Sequence, residues 1–391
     1  MGNGALITTS TGAIQVNTLS SYWLPNKITG FLPAEAPVKP EDLILSGYDS
    51  LRRIGLIAPE LGSISDTKLG EFVSTLPVEP DIDPFHTTPA MCEAIIRAYV
   101  NIAAHLIHRP YFSPHRELPP AIARPLWIFS LYADRPPSLT YASYVLGNFT
   151  SPVRTRMLPQ EFKIAQTPSG TPDEEWFIAA HLSVESIGGE VVEAIQNIER
   201  SLDINDIDTI VMFLESIESS VSFAAEIMPT IMDRMDADVF LYKIRPLLYG
   251  HDQITFRGVD NDRVVTYIGE TGAQSGVIRA VDAILDIQHS AEINTSMNRF
   301  LMCAPPVHQQ FFNYAAKVGK RLSTMKGNAR ISTAHQAAAS ALTEFRKSHL
   351  RAVASYLMPN GKKLAEYGTG GTRLTEWLKK MIDETKSSRG H

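Results

Sequence analysis

The sequence predicts a mainly α-helical protein with two unequal domains, and three features of the chain predict it. Its 391 residues are 44% hydrophobic, which suits one large domain or about two of ordinary size. Proline-rich segments interrupt residues 1–170, whereas apolar residues recur at helical spacing through most of residues 171–391. Strand-like alternation is confined to residues 252–268. We therefore expect a smaller, loop-rich α domain over 1–170, ending in a polar connection, and a large all-helical domain over 171–391.

The smaller domain is expected to hold few helices. Pairs such as Pro119-Pro120 and Pro136-Pro137 bias the chain away from helix. One helix is predicted from Pro89 to His108, where apolar residues are three and four positions apart. The first 26 residues carry no charged side chain and receive no role.

The larger domain begins with a strong helix signal. Thr171 can cap the helix, Pro172 suits its first position, and Glu174 follows three residues after the cap. This helix is predicted to run to about residue 202. Further helices are predicted at roughly 205–234, 238–249, 274–290, 306–318, 331–358 and 372–385, with one hairpin over 252–268.

Charge and cysteine content exclude several classes of function. The chain has 36 basic and 42 acidic residues and a net charge of −6, so a nucleic-acid partner is not expected. Cys92 and Cys303 are too few for a disulfide framework and suit buried positions in a reducing cytoplasm. No apolar run is long enough to predict a membrane span. The oligomeric state stays open.

His349 is the first candidate for chemistry. Its helix places it on one apolar face with Leu342, Phe345 and Tyr356, so the imidazole points inward. A buried imidazole needs partners, and these are either protein groups or a haem iron. Arg346, one turn earlier, could reach a haem propionate.

His181 repeats this pattern on a second helix, close to Phe177. Gly188-Gly189 in the same predicted helix costs about 1 kcal/mol per glycine relative to alanine. That cost suggests that a neighbouring helix or a flat cofactor approaches the backbone closely, although packing alone is the simpler explanation.

An arginine and a glycine-rich loop complete the candidates. Arg245 lies in an apolar helix that Pro246 must kink or end, and its charge requires an anion. The anion is either an internal carboxylate or that of a substrate. The segment Gly368-Thr369-Gly370-Gly371-Thr372 precedes a helix and is either an anion-binding loop or a plain connector.

These motifs together resemble the indoleamine 2,3-dioxygenases, a family of haem dioxygenases. The resemblance extends from Gly30 to the C-terminal helix. Its elements, in the order found in that family, are residues 177–185, Phe240 and Arg245, residues 271–275, residues 305–308, residues 346–350 and residues 368–372, and residues 139–149 resemble the distal-pocket segment of the smaller domain.

The resemblance implies a haem b enzyme whose smaller domain caps the distal side of the haem. With O₂ as co-substrate, such enzymes cleave the indole C2–C3 bond of L-tryptophan or a related indoleamine to an N-formylkynurenine-type product, the entry to kynurenine catabolism. His349 would be the proximal iron ligand. Arg346, Thr271 and Gly272 would contact the haem.

The resemblance also assigns a substrate pocket. His181 stands where vertebrate members carry serine, and histidine there is typical of the related tryptophan 2,3-dioxygenases; it could accept the indole N–H as the catalytic side chain. The other expected pocket residues are Tyr141, Tyr144, Val145, Phe177, Phe240, Arg245, Gly272 and Thr369.

Two alternatives remain open. One keeps the fold and the haem but oxidises a substituted indole in secondary metabolism. The other is a non-catalytic helical protein that binds haem or a partner. Retention of Arg245 favours a substrate with a carboxylate.

Overall fold

A computed structural model describes residues 6–9, 12–15, 18–45, 47–79, 82–112, 115–357 and 365–388. Its helices confirm the mainly α fold. Residues 358–364, which include most of the segment before the glycine-rich loop, and most of the uncharged N-terminus lie outside the described residues. The division of the chain at residue 170 stays a prediction.

Most of the described chain is helical, in helices of 3 to 29 residues. In the first 170 residues they are α1 Thr18–Tyr22, α2 Asp49–Ile57, α3 Asp66–Ser74, α4 Pro89–His108 and α5 Pro120–Tyr132. They continue as α6 Pro172–Glu185, α7 Gly188–Ile204, α8 Ile207–Ile227, α9 Ala237–Val239, α10 Gly276–Ile284, α11 Ala291–Leu301, α12 Pro306–Ser323, α13 Ala329–Leu357 and α14 Leu374–Ser387.

Short strands add to this helical framework. The predicted hairpin is confirmed, because β4 His251–Phe256 pairs antiparallel with β5 Arg263–Tyr267. The prediction that strands are confined there was wrong. β1 Leu6–Thr9 pairs with β2 Gly12–Gln15, and β3 Glu117–Leu118 pairs parallel with β4. Strands of two to four residues are too short to produce a recognisable alternation.

Two helix predictions needed correction. The helix predicted from residue 171 to 202 is divided between Glu185 and Gly188 into α6 and α7. Helix α11 was missed, and α10 ends at Ile284 rather than near residue 290. The starts of α6, α10 and α12 lie within two residues of prediction.

The glycine pair at the start of α7 makes room for the turn at residues 27–30. A Cβ on Gly189 would lie 2.6 Å from the carbonyl oxygen of Lys27, and one on Gly188 would lie 3.1 Å from the Cα of Gly30. Gly30 itself has φ +63°, a conformation that L side chains rarely adopt. The close neighbour is therefore a backbone turn, neither a helix nor a cofactor.

Packing of α8 against α13 forms the most extensive helix pair. On α13, Leu342, Phe345 and Tyr356 are buried as predicted. An ion pair also ties α13 to α10, because Arg346 binds both carboxylate oxygens of Asp282, at 2.7 and 2.6 Å. These contacts hold α13 beside α8 and its middle beside α10.

Helix α4 runs through the core of the first 170 residues. It has the length and apolar character of a membrane span, but 94% of its most apolar window is buried in the protein. That burial is typical of a core helix. Cys92, on this helix, and Cys303 are both buried with free thiols.

Candidate active site

Two adjoining cavities lie between α6, α13 and the loop that follows β5. Both are bordered by His181, His349, Thr271 and Gly272. The first extends towards α10 and α14, and the second towards the α9 segment and the glycine-rich loop. The sequence-predicted histidines therefore meet at one place.

His349 presents an imidazole without a protein partner. Its ring borders both cavities, and among the described residues neither ring nitrogen makes a hydrogen bond. Burial, with His181 adding a smaller effect, lowers the pKa of His349 to about 4. The ring is therefore neutral at physiological pH, which is the form that ligates a metal. The predicted alternative, a core histidine bonded to protein groups, finds no support in these contacts.

His181 is held in one tautomer. Its Nδ1 lies 2.8 Å from the carbonyl oxygen of Phe177, and since a carbonyl can only accept, Nδ1 carries the proton. Burial lowers the pKa of His181, so the ring is neutral. Its Nε2 then has a free lone pair beside Gly272, where an added Cβ would lie 3.8 Å away. His181 can accept a hydrogen bond from a ligand.

Aromatic rings form one wall of the site. The ring centroids of Phe177 and His181 are 4.4 Å apart, those of Phe177 and Phe240 are 5.6 Å apart, and those of Phe240 and Tyr356 are 5.5 Å apart. Tyr141 meets His181 edge-on at 6.1 Å. Such a wall suits a flat apolar ligand.

Carboxyl groups anchor two tyrosines of the predicted pocket. Tyr141 donates to Glu185 at 3.2 Å, and Tyr144 donates to Glu174 at 2.9 Å. Tyr144 and Val145 are fully buried in a π-helical turn and border neither cavity. The Tyr144 ring lies behind Phe177, with 6.4 Å between centroids, so its direct contact with a ligand stays a prediction.

Arg245 faces the second cavity from a distorted helix. After α9 the chain continues as a π-helical turn at residues 240–244, and the Arg245 N–H bonds to the Phe240 oxygen five residues earlier. Pro246, which lacks an N–H, follows that turn. The side chains of Phe240 and Arg245 border the cavity, as the sequence predicted.

The described acceptors of the Arg245 charge are uncharged oxygens. Arg245 is 7% exposed, and its guanidinium donates to the Tyr249 hydroxyl and, at 2.5 Å, to the Tyr367 carbonyl oxygen. Within the described chain no Asp or Glu forms an ion pair with it. The internal carboxylate considered from the sequence is therefore not found.

The glycine-rich loop closes the second cavity. Its turn is held by a 2.8 Å bond from Gly368 N to Thr372 O. The Thr369 hydroxyl donates to the carbonyl oxygen of Glu270, which fastens the loop beside Gly272. A Cβ on Gly370 would lie 2.8 Å from the Phe300 ring, so the loop needs glycine to pack this closely.

Arg346 borders the first cavity, but Asp282 and the Thr385 hydroxyl already accept hydrogen bonds from it. Arg279, in the same cavity, makes no hydrogen bond or salt bridge among the described residues. The Thr271 hydroxyl caps the next turn by accepting from Ala273 N at 3.4 Å. Propionate binding by Arg346 stays a prediction.

Most predicted site residues are brought together. The two cavities are bordered by Tyr141, Phe177, His181, Phe240, Arg245, Thr271, Gly272, Arg346, His349 and Thr369. Sequence reasoning did not assign Glu270, Arg279, Met228 or Tyr356 to the site. Tyr356 could have been found, because it lies on the predicted inward face of α13. Glu270 had no signal beyond its position next to Thr271.

Comparison with known proteins places these features in a family. A model of the indoleamine 2,3-dioxygenase family matches residues 19–388. An indoleamine 2,3-dioxygenase of Penicillium citrinum is 26% identical, over 95% of this chain and 88% of its own. A 6-hydroxytryptophan 2,3-dioxygenase of Fusarium equiseti is 23% identical, over 92% and 95%. A myoglobin of Haliotis diversicolor is 25% identical, over 69% and 74%. Because the family match spans nearly the whole chain and contains every residue of the site, this protein belongs to the indoleamine 2,3-dioxygenase family.

Proposed function

We propose that this protein is a haem-dependent dioxygenase that opens the indole ring of L-tryptophan or a close indoleamine to an N-formylkynurenine product. Family membership makes it an oxidoreductase of the dioxygenase type. The finer proposal depends on one observation. The neutral side chains of His181 and His349 border the same aromatic-walled site as Arg245, which forms no ion pair with a described residue.

The residues around His349 fit a haem. The imidazole is neutral, faces a cavity and has no bond to a described residue, which suits a ligand of a haem iron. The name of one relative, myoglobin, denotes a haem protein. Haem iron bound through His349 would supply the activation of O₂. The chain supplies orientation and an environment from which bulk water is excluded.

The proposed roles of the substrate-side residues follow from their chemistry. His181 Nε2 accepts the indole N–H and so fixes the orientation of the ring. Phe177 and Phe240 hold the ring by apolar contact. Arg245 pairs with the substrate carboxylate, which replaces the missing internal counter-ion. Holding the reacting bond in one place accounts for a large part of such catalysis.

The visible spectrum of the purified protein tests the haem proposal. Wild type supplemented with haem should show a Soret band, and His349→Ala should lose it or shift it. His335→Ala is the matched control, because His335 lies on the same helix but bonds to Leu285 O. A Soret band that is identical in wild type and His349→Ala would remove His349 as the ligand.

Turnover tests the reaction. Reduced wild-type protein with L-tryptophan and O₂ should accumulate the absorbance of N-formylkynurenine. Stable O₂ binding without product would favour the non-catalytic alternative. The likeness to a protein named myoglobin is the observation that supports this alternative.

A substituted indole is the second candidate substrate. The observation that favours it is the likeness to a 6-hydroxytryptophan 2,3-dioxygenase over 92% of this chain. Comparing kcat/KM for L-tryptophan and 6-hydroxy-L-tryptophan distinguishes the two. We propose a cytoplasmic location in either case, since both cysteines are buried free thiols.

A further inference from the structure

Glu270 carries a buried carboxyl group without a partner. The residue is 3% exposed and borders the second cavity. Its carbonyl oxygen accepts from Thr369, but its carboxyl group makes no hydrogen bond or ion pair within the described chain. Leaving a buried carboxyl unpaired is unfavourable. Groups of this kind are found at functional sites more often than chance would give.

Among the described residues, no cation compensates this carboxyl. Burial raises the pKa of Glu270 to about 8, and the nearby charge of Glu174 acts in the same direction. Tyr141 and Tyr144 also face it, but neither phenol adds positive charge. A positively charged group from outside the protein would relieve this destabilisation.

Arg245 borders the same cavity and carries a buried positive charge. It has no carboxylate partner within the part of the chain that the structure describes, and it does not pair with Glu270. The cavity thus contains one cation and one carboxyl group that are both buried and that form no ion pair with any described residue. A ligand that carries an anion and a cation on neighbouring atoms would satisfy both.

We infer that Glu270 binds the α-ammonium group of the substrate whose carboxylate is proposed to pair with Arg245, so that Glu270 makes this cavity selective for ligands that carry both charges. The inference rests on the proposed function, since it concerns the same substrate site. A substrate without the ammonium group leaves Glu270 unpaired, and one without the carboxylate leaves Arg245 unpaired. Sites built on such pairs discriminate strongly against the analogue that lacks one group.

Three ligands separate the two charges: L-tryptophan, indole-3-propionate, which lacks the ammonium group, and tryptamine, which lacks the carboxylate. They are compared on haem-loaded wild type and on Glu270→Gln, which keeps the size of the side chain. The variant should raise KM and the calorimetric Kd for L-tryptophan by about tenfold or more. Both constants for indole-3-propionate should change by less than about twofold.

Two further variants complete the design. Arg245→Gln should show the reciprocal pattern, weakening L-tryptophan and indole-3-propionate while sparing tryptamine. Glu175→Gln is the matched control, because Glu175 is exposed on the first turn of α6. It should leave all three ligands unchanged. A thermal melt of each variant, compared with wild type, verifies folding.

The inference would be overturned if Glu270→Gln affected L-tryptophan and indole-3-propionate equally, or affected neither. Wild-type turnover of L-tryptophan would still uphold the proposed function in that case. If wild type forms no product from L-tryptophan, the proposed function fails. The calorimetric comparison of the same ligands then still decides whether Glu270 recognises the ammonium group.

Discussion

At the scale of single residues, the chemistry of the site depends on which nitrogen of His181 is free. The Phe177 carbonyl fixes the proton on Nδ1, because it can only accept a hydrogen bond. Nε2 is left as an acceptor, and burial keeps the ring neutral by lowering its pKa. A charged imidazole would instead donate, and could not orient an indole N–H.

Replacement of His181 should therefore affect only substrates that carry an indole N–H. His181→Leu, which is of similar size, is expected to lower kcat/KM for L-tryptophan by about threefold to tenfold, as for one neutral hydrogen bond. 1-Methyl-L-tryptophan lacks that N–H, so its kcat/KM should hardly change. Steady-state kinetics on both substrates measures this, with the exposed His86→Ala as control. Equal losses on the two substrates would contradict the assignment.

At the scale of elements, α13 carries His349 and is tied to α10 by the buried pair of Arg346 and Asp282. The two side chains are only 4% and 7% exposed. The Arg346 Nη2 atom donates to both carboxylate oxygens, and His289 Nε2 lies 3.6 Å from Asp282 Oδ1. This pair holds the helix in register one turn before the predicted iron ligand.

Asp282→Asn is expected to lower the free energy of unfolding by about 3–5 kcal/mol, because it leaves the Arg346 charge buried and unpaired. Urea denaturation of variant and wild type without added haem measures the difference. Glu292→Gln is the control, since it removes only an exposed pair with Lys380, worth about 0–1 kcal/mol. Similar losses in the two variants would contradict the importance of the buried pair.

The loss of stability in acid should also depend on the pair of Arg346 and Asp282. Burial tends to raise the pKa of Asp282, but the Arg346 charge and the contact with His289 outweigh it and hold the pKa well below its usual range. A depressed pKa stabilises the fold above the unfolded pKa of about 4 and loses that effect as pH falls towards the folded value. The stability of wild type should thus decline below about pH 4 more steeply than that of Asp282→Asn.

The junction of α6 and α7 depends on close backbone contact. Gly189→Ala would bring a Cβ to 2.6 Å from the Lys27 oxygen and 3.0 Å from its carbonyl carbon. Neither can move as a side chain can, so the free energy of unfolding should fall by about 1–3 kcal/mol. Gly327→Ala is the control, since a Cβ there meets nothing within 4 Å. Equal melting temperatures of the two variants would show that the turn shifts freely.

At the scale of the whole molecule, buried acids in and around the site form no ion pair with a described residue. Burial raises the pKa of Glu174 and Glu185 to about 7 and that of Glu270 to about 8. Each group therefore binds its proton more tightly in the folded than in the unfolded state. Their contribution to stability is complete below about pH 4.5 and is lost as pH rises through 7 and 8.

The free energy of unfolding should accordingly decrease between about pH 5 and pH 8, by up to about 1.4 kcal/mol per pH unit for each group. Denaturant unfolding of the haem-free protein across this range measures it. Glu174→Gln should flatten the profile, because a glutamine has no proton to lose. A profile that is the same in wild type and variant would contradict the raised pKa.

Local patterns predicted much of the helical framework. The cap and proline at residues 171–172, and the apolar periodicity of α13, act within one or two turns and need no distant partner. They also placed His349 and Tyr356 on one inward face. The break between α6 and α7 escaped prediction because its cause, the turn at residues 27–30, lies about 160 residues earlier in the chain.

The sequence by itself determined the helical fold, the family, and the inward positions of His181, His349 and Arg245, because periodicity and motif order are properties of the chain. Only the tertiary structure decided which of these groups have partners. It paired Arg346 with Asp282 and set Tyr144 behind Phe177. At the two adjoining cavities it left His349, Arg245 and Glu270 without an ion-pair partner among the described residues. Such pairing depends on distances between side chains far apart in sequence, which no local pattern encodes.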